Sequence, residues 1–237
     1  MRYVPDRTGR FAERPHYDPA ELDRIFEHLV TDFLKKHRGQ VAFPITTDEL
    51  TVLIERDTED LDPYADLSAY GRDVEGVTEF IPGKKPRVRI AQDLATSENR
   101  ENRLRTTLTH EYGHVHLHGY LFALATGAGL FTTKSKPDAI ICKRDTMIVA
   151  KQTDWMEWQA GYACGALLMP ASRVRIIAGE YQRTAGIYGP VPATTEHGQA
   201  MIDRLVESFQ VSRDAARVRL SVLGVLGSAP AAGSLFA

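Results

Sequence analysis

The chain has 237 residues, which is enough for one moderate domain with a real hydrophobic core and a short appendage. Its hydrophobic share of 43% and its charged share of 25% are ordinary for a soluble globular protein. The net charge of −2, from 29 basic and 31 acidic residues, argues against a general affinity for nucleic acid but leaves room for a local basic face.

The ends of the chain and its apolar runs bear on where the protein works. The N-terminus lacks the apolar core of a signal peptide, because Pro5 and Arg10 interrupt it. The longest apolar run, residues 120–131, is too short and too glycine-containing to span a bilayer. Cys142 and Cys164 give no disulfide framework and are predicted to be small buried apolar residues. We therefore expect a cytoplasmic protein with reduced thiols and no membrane partner.

The first segment, residues 1–45, is predicted to be an arm followed by a helix. The arm, residues 1–17, is polar and rich in arginine, and we expect it to lie over the surface. Asp18 can cap the helix, and Glu21 completes a capping box with it. Gly39 marks the end of the helix.

A second helix and a hairpin are predicted next. Thr46 and Glu49 form another capping box, so a helix begins there. The acidic run 55–66 is predicted to end this helix as a solvated loop. Residues 74–81 and 87–90 are β-rich and flank a Pro-Gly turn, which predicts a hairpin or part of a three-stranded sheet. Such a strand can pair with the backbone of a substrate, or it can be an ordinary structural hairpin.

The stretch from Leu104 to His118 carries the residues with the clearest chemistry. It contains His-Glu-x-x-His, formed by His110, Glu111 and His114. On a helix, the two imidazoles lie one turn apart on one face and can bind one zinc ion. Glu111 lies about 100° round the helix, where it can act as a general base without binding the metal. The alternative is that the two histidines lie on the surface and form ordinary hydrogen bonds. They share a helix face with apolar residues, however, which predicts burial, and buried imidazoles need a polar or metal partner.

A catalytic zinc site needs a third protein ligand and one open position. The extended motif with a third histidine fails, because Leu117 and Tyr120 occupy its positions. Glu157 is the preferred ligand, because it heads a helical stripe of small and apolar residues along which two helices can approach closely. The alternative is that Glu157 completes a capping box at its own helix. The rival carboxylates, none of which heads such a stripe, are Asp138, Asp145 and Asp154.

The main domain is expected to span residues 46–185. Within it, residues 139–142 are compatible with a short strand. After Pro170 another helix is predicted to run to about Gln182. Residues 186–192 are a linker by composition.

A C-terminal segment, residues 193–226, is predicted to contain two short helices, at about 195–208 and 212–223. Together they resemble half of a helix-turn-helix, and they could equally be a helical lid or a surface for a partner. The tail, residues 227–237, is rich in Ala, Gly and Ser and is predicted to be disordered. DNA contact is not favoured, given the weak charge, but its candidate phosphate ligands are Arg213, Arg217 and Arg219.

Several motifs together resemble one known family. His-Glu-x-Gly-His at 110–114 is followed by His118, and Glu-x-x-Ala at 157–160 runs into Leu-Leu-Met-Pro at 167–170. This combination is similar to the ImmA/IrrE family of bacterial metallopeptidases, and the resemblance covers roughly residues 74–225.

The resemblance implies a fold and a set of roles. The fold would be α+β, a mostly helical zincin-like metallopeptidase domain with a small β-sheet, followed by the helix-turn-helix-like pair. His110, His114 and Glu157 would bind the metal, and Glu111 would be the base. The chain departs from the family at three positions. Tyr112 occupies a position where the family often has Leu, and Gly161 and Ala163 occupy positions where it prefers Asn and Phe.

The function implied by these residues is a metal-dependent endopeptidase. Zinc suits two imidazoles and one carboxylate best, and Mn²⁺ would be accepted at lower affinity. Glu111 would take a proton from the attacking water and pass it to the leaving amine. Tyr112 and His197 are candidate donors to the oxyanion. The resemblance implies a protein substrate, such as a helix-turn-helix transcriptional repressor encoded nearby, whose cleavage would switch on a stress or mobile-element programme.

Two other classes of function stay open at this stage. The protein could be a DNA-binding regulator that uses the helices at 195–223 and keeps a merely structural metal site. It could also be a partner-binding module, such as an antitoxin-like protein, with a vestigial site. The sequence itself does not identify the substrate.

Overall fold

The structure is a computed structural model, and it describes residues 1–81, 83–127, 138–143 and 154–227. Helices predominate among these residues and a small sheet accompanies them, which confirms the predicted α+β class. The helices are α1 (Pro19–Arg38), α2 (Thr47–Glu55), α3 (Gln92–Ala95), α4 (Glu101–Gly127), α5 (Trp155–Leu168), α6 (Ala171–Ala185), α7 (Glu196–Phe209) and α8 (Arg213–Val222). The strands are β1 (Arg2–Pro5), β2 (Glu13–His16), β3 (Asp60–Ala65), β4 (Val74–Phe80), β5 (Arg87–Ala91), β6 (Asp138–Lys143), β7 (Val191–Pro192) and β8 (Leu226–Gly227).

The predicted helix boundaries depend on local capping, and the structure confirms them. At the start of α1, the Asp18 amide donates to Glu21 Oε2 at 3.0 Å. At the start of α2, the Thr46 amide donates to Glu49 Oε2 at 2.8 Å, and the Glu49 amide donates back to the Thr46 hydroxyl at 3.3 Å. Gly39 ends α1 in the left-handed region, with φ of 75°. Each box satisfies backbone donors that the helix itself leaves free.

The N-terminal arm is a hairpin in which β1 and β2 pair in antiparallel register, with Tyr3 opposite Pro15. The arm packs on the end of α4 and the start of α5. The ring of Phe11 lies edge-on to the rings of Phe122 and Trp155, with centroids 5.2 Å and 6.3 Å away. The arm is therefore bound to the two helices that carry the motif residues.

The main sheet has the strand order β3-β5-β4-β6. The predicted hairpin is confirmed as the antiparallel pair β4 and β5, and the short strand at 139–142 as β6. The hairpin strands each have a neighbour on both sides, so neither offers a free edge to a substrate strand. The ordinary structural hairpin is therefore the correct alternative.

The solvated loop predicted for residues 55–66 is wrong, because Asp60–Ala65 form β3. This strand lies parallel to β5, with Asp60 opposite Arg87 and Asp62 opposite Arg89. Acidic residues are tolerated in a strand at the edge of a sheet, and here they lie opposite basic residues. The composition of the segment concealed this pairing, since its partner is distant in the sequence.

Helix α4 lies between the sheet and α5. It contacts β4 on one side and α5 on the other, and α5 in turn contacts α1. At the α4–α5 crossing, a Cβ atom built on Gly113 would lie 2.9 Å from the Ala160 Cα and 3.1 Å from the Ala163 Cβ. The close approach predicted from the small residues of α5 is therefore present, and it uses the glycine of the motif.

A buried ion pair joins helix α1 to helix α8. The Arg219 guanidinium on α8 donates to Asp23 on α1 at 2.6 Å and to the Met169 carbonyl at 2.9 Å. The Tyr162 hydroxyl on α5 donates to the same Asp23 carboxylate at 3.0 Å. Arg219 is 3% exposed. It is therefore unavailable to a nucleic-acid phosphate, contrary to the role considered for it from the sequence.

The two helices predicted at 195–208 and 212–223 are confirmed as α7 and α8. On the exposed face of α8, Arg213 pairs with Asp203, and Arg217 pairs with Asp214. The domain boundaries at 45/46, 185 and 193 stay predictions, and the predicted tail lies outside the described residues from 228 onward. In the described part of the chain, every helix is too short or too polar to cross a bilayer.

Replacing Gly113 tests the helix crossing. In Gly113→Ala the new methyl group meets the backbone of α5, so we expect the free energy of unfolding in urea to fall by about 1–3 kcal/mol. Gly179→Ala is the matched control, because its Cβ would meet nothing within 4 Å. That change should leave stability equal or raise it by up to about 1 kcal/mol. Equal effects of the two changes would contradict the close crossing.

Replacing Arg219 tests the buried ion pair. Arg219→Met leaves Asp23 buried without its cation, so we expect the free energy of unfolding to fall by about 3–5 kcal/mol. Arg217→Met is the control on the same helix, and since its pair with Asp214 is exposed it should change stability by less than about 0.5 kcal/mol. Urea denaturation of both variants measures the difference. A loss for Arg219→Met as small as that of the control would show that the pair adds nothing.

Candidate metal centre

Two histidines of α4 and one glutamate of α5 meet between the helices. The Nε2 atoms of His110 and His114 lie 3.1 Å apart. The Glu157 carboxylate lies 3.1 Å from His110 Nε2 and 3.2 Å from His114 Nε2. His110 and His114 are fully buried, and Glu157 is 7% exposed. Within the described residues, this is the one group of three or more metal-binding side chains close enough to share an ion.

The spacing of these three groups suits a small divalent cation. A tetrahedral zinc ion with bonds of about 2.0 Å has its ligand atoms about 3.3 Å apart. The two Nε2 atoms lie 3.1 Å apart, and the Glu157 carboxylate places Oε2 at 3.1 Å from His110 and Oε1 at 3.2 Å from His114. Two imidazole nitrogens and a carboxylate are also the donor set of catalytic zinc sites that leave the fourth position open. The residues therefore fit a zinc ion in both geometry and chemistry.

The alternative role of Glu157, as half of a capping box, is not what the side chain does. Its backbone amide donates to the Asp154 carboxylate at 3.4 Å, so Asp154 caps α5, while the carboxylate of Glu157 turns to the histidines. Burial acts to raise the pKa of Glu157, but its contacts with the imidazoles of His110 and His114 outweigh burial and hold the pKa well below its ordinary value. The carboxylate is therefore an anion suited to a cation.

Glu111 lies on a different face of α4, against the sheet. The hydroxyl group of Thr78 on β4 donates to Glu111 Oε2 at 2.5 Å. Both side chains are fully buried. The motif helix is thus bound through its glutamate to β4 and through its histidines to α5, as the helical spacing of the motif requires.

His118 lies one turn beyond His114 and does not join the three converging groups. Its Nδ1 lies 3.1 Å from the Nδ1 of His114, and its Nε2 lies 3.0 Å from the Gln159 amide oxygen. Burial, followed by the neighbouring His114, lowers the pKa of His118 well below its ordinary value, so the ring is neutral at pH 7. His116 instead lies beside the ring of Phe26, with centroids 5.5 Å apart.

The other residues considered from the sequence as oxyanion donors or metal ligands make different contacts. The Tyr112 hydroxyl donates to Asp57 at 2.5 Å, and His197 bonds to the Tyr181 hydroxyl at 2.9 Å, so both candidate oxyanion donors have other partners. Cys164 is buried, and burial raises the pKa of its thiol to about 11, so it remains protonated. Asp138 begins β6, and Asp145 lies outside the described residues.

Sequence reasoning missed two side chains at this centre, Thr78 and Gln159. Thr78 belongs to a strand that was predicted, but which residue of that strand would face Glu111 depends on how β4 packs on α4. Gln159 lies two residues after Glu157, and its polar side chain within a nearly apolar helix was an available signal. Both residues are buried and both contact a motif side chain or its neighbour.

Comparison with known proteins agrees with this geometry. The family model described as the IrrE N-terminal-like domain, peptidase M78, matches residues 84–221, which is more than half of the chain. Curated proteins gave no match. The matched residues include the His-Glu-x-Gly-His motif and Glu157, and the family is one of metallopeptidases, as the motifs had indicated. This chain belongs to the peptidase M78 family, the family of the IrrE N-terminal-like domain.

Proposed function

We propose that this protein is a metal-dependent endopeptidase that hydrolyses a peptide bond in a protein substrate. The observation that carries the proposal is the convergence of two imidazoles and one carboxylate, with a second carboxylate, that of Glu111, next to His110 on the same helix. A purely structural zinc site closes its coordination with four protein ligands, whereas three groups converge among the described residues, as in a catalytic site.

In the proposed mechanism, His110, His114 and Glu157 hold the metal. Zinc is the preferred ion for two nitrogens and one oxygen, and Mn²⁺ would bind more weakly. When bound, the ion supplies a Lewis acid that polarises the peptide carbonyl and makes water a better nucleophile. The burial of all three side chains strengthens their electrostatic interactions, because water does not screen them.

Glu111 is the proposed general base. It takes a proton from the attacking water and passes it to the leaving amine. Thr78 holds one of its carboxylate oxygens, and Gly76 on the same strand leaves room for the other. A Cβ atom at Gly76 would lie 2.8 Å from the Glu111 Cδ and nearer still to Oε1. The strand therefore fits the carboxylate into one position, which a proton-transfer group requires.

For the substrate, we propose a helix-turn-helix transcriptional repressor encoded nearby in a bacterium. The support is the family resemblance, and the setting would be a stress or mobile-element programme in the cytoplasm. In the same proposal, residues 46–185 do the chemistry, and the segment at 193–226 helps to recognise the substrate.

The DNA-binding alternative has less support. Arg219 is buried with Asp23, and Arg213 and Arg217 already have acidic partners. A helix whose arginines are neutralised in this way offers little charge to a phosphate backbone. The partner-binding alternative with a vestigial site differs from ours in one measurable respect, since it expects the purified protein to contain no metal.

Substitution of the two glutamates separates base from ligand. We expect Glu111→Gln to keep bound zinc and lower kcat by about 10²–10⁴-fold, because the base is lost while the ligands stay. We expect Glu157→Ala to lose the zinc and, with it, cleavage. Zinc content is measured by elemental analysis, and cleavage by mass spectrometry of a proteome-derived peptide library.

The matched control is Glu180→Gln, at an exposed glutamate of α6, which should change neither quantity. Unchanged cleavage in Glu111→Gln would reject the proposed base. A wild-type protein that neither contains zinc nor binds it on addition would reject the metallopeptidase and favour the vestigial site.

Changes in β4 test how the base is held. Thr78→Val removes the hydrogen bond to Glu111, and we expect kcat to fall by about 10²-fold with KM and zinc content unchanged. Thr78→Ser keeps the hydroxyl and should stay close to wild type. Gly76→Ala displaces the carboxylate and should lower kcat in the same way. If Thr78→Val and Thr78→Ser behave alike, the hydroxyl plays no part in placing the base.

A further inference from the structure

The binding of a metal by His114 requires one particular tautomer. A neutral imidazole carries its proton on one nitrogen and has a lone pair on the other. His114 faces the Glu157 carboxylate with Nε2, so this atom must be bare and Nδ1 must carry the proton. The opposite tautomer would also be satisfied without a metal, because Nε2–H could donate to Glu157. The hydrogen-bond partner of His114 Nδ1 must therefore determine which of the two tautomers forms.

The atom behind His114 is the Nδ1 of His118, at 3.1 Å. One of these two nitrogens must donate and the other must accept. If His118 accepts, His114 has the tautomer that binds metal. If His118 donates, His114 has the other one. The choice therefore depends on what lies at the opposite nitrogen of His118.

That partner is Gln159, whose amide oxygen lies 3.0 Å from the Nε2 of His118. The amide nitrogen of Gln159 lies 2.9 Å from the carbonyl oxygen of Pro15. A carbonyl can only accept, so the NH₂ group must face Pro15 and the amide oxygen must face His118. An amide oxygen also only accepts, so His118 carries its proton on Nε2. Its Nδ1 is then bare and accepts from His114.

The chain of hydrogen bonds is buried, so solvent cannot stabilise the reversed arrangement. His114 and His118 are fully buried, Gln159 is 1% exposed, and Pro15 is buried. Reversing the bonds would place the Gln159 oxygen against the Pro15 oxygen, and no solvent could relieve this contact. The ring of Trp155 stands at 88° to the ring of His118, with centroids 5.4 Å apart, and limits its rotation.

We propose that the hydrogen-bond chain Pro15–Gln159–His118 sets the tautomer of His114 that binds the metal. His118 and Gln159 are positioning residues, and Pro15 in β2 is the end point that gives the chain its direction. Pro15 lies outside residues 84–221, the part matched by the family model. The N-terminal arm thus completes the outer layer of the metal site. This inference rests on the proposed metal centre.

The first test examines the tautomers directly in the metal-free, full-length protein. Long-range ¹H–¹⁵N correlation spectra of the imidazoles should show His118 protonated at Nε2 and His114 protonated at Nδ1. Protonation of His118 at Nδ1 would overturn the proposal. This measurement needs no variant for its outcome and no catalytic activity.

The second test measures affinity for Zn²⁺ alone by competition with a chromogenic chelator. Gln159→Leu removes the acceptor and should weaken zinc binding by about 10–100-fold, as loss of a supporting hydrogen bond does at metal sites. Gln182→Leu is the matched control, since the Gln182 amide also donates to a backbone carbonyl, that of Gly189 at 3.1 Å, but lies on α6.

The outcomes separate this inference from the proposed function. If wild type binds zinc and Gln159→Leu binds it equally well, the chain of bonds is irrelevant and the metal centre stands. If wild type binds no zinc, the metal centre fails, while the spectra still report the tautomers. Thermal unfolding of each metal-free variant shows whether it is folded.

Discussion

The close crossing of α4 and α5 is the constraint on which the site depends. A glycine and two alanines let the helices meet so closely that a Cβ at Gly113 would lie 2.9 Å from the Ala160 Cα. Only at such a distance can the short side chain of Glu157 reach between two imidazoles of the neighbouring helix. The same residues cannot pack a bulky core at this point, so larger side chains elsewhere on both helices must supply the stability.

The burial of the site has a second consequence, which is that its polar atoms must find partners within the protein. Glu111 is held by Thr78, and His114 is held from behind by His118 and Gln159. His110 is held differently, because its Nδ1 is buried and finds no hydrogen-bond partner among the described residues. The two histidines proposed as ligands are thus held differently: His114 by a directed chain of hydrogen bonds, and His110 by packing and by its contacts at Nε2.

Much of this arrangement could be predicted, because it depends on short-range patterns. The capping boxes, the His-Glu-x-x-His spacing and the small-residue stripe around Glu157 each act within a few residues of the chain. The strand at 60–65 could not be read in the same way, since its acidic residues are explained by Arg87 and Arg89 on a partner strand. The roles of Thr78, Gln159 and Pro15 likewise depend on hydrogen-bond partners that are 33, 41 and 144 residues away in the sequence.

The ion pair between α1 and α8 also bears on when the fold can be completed. Asp23 and Arg219 are 196 residues apart in the chain. At ordinary rates of translation, about 10–40 s separate the synthesis of the two residues. Until then the cation that pairs with Asp23 in the folded protein has not been made, and the ion pair between α1 and α8 cannot form. The packing that depends on this ion pair can therefore be completed only after α8 has been synthesised.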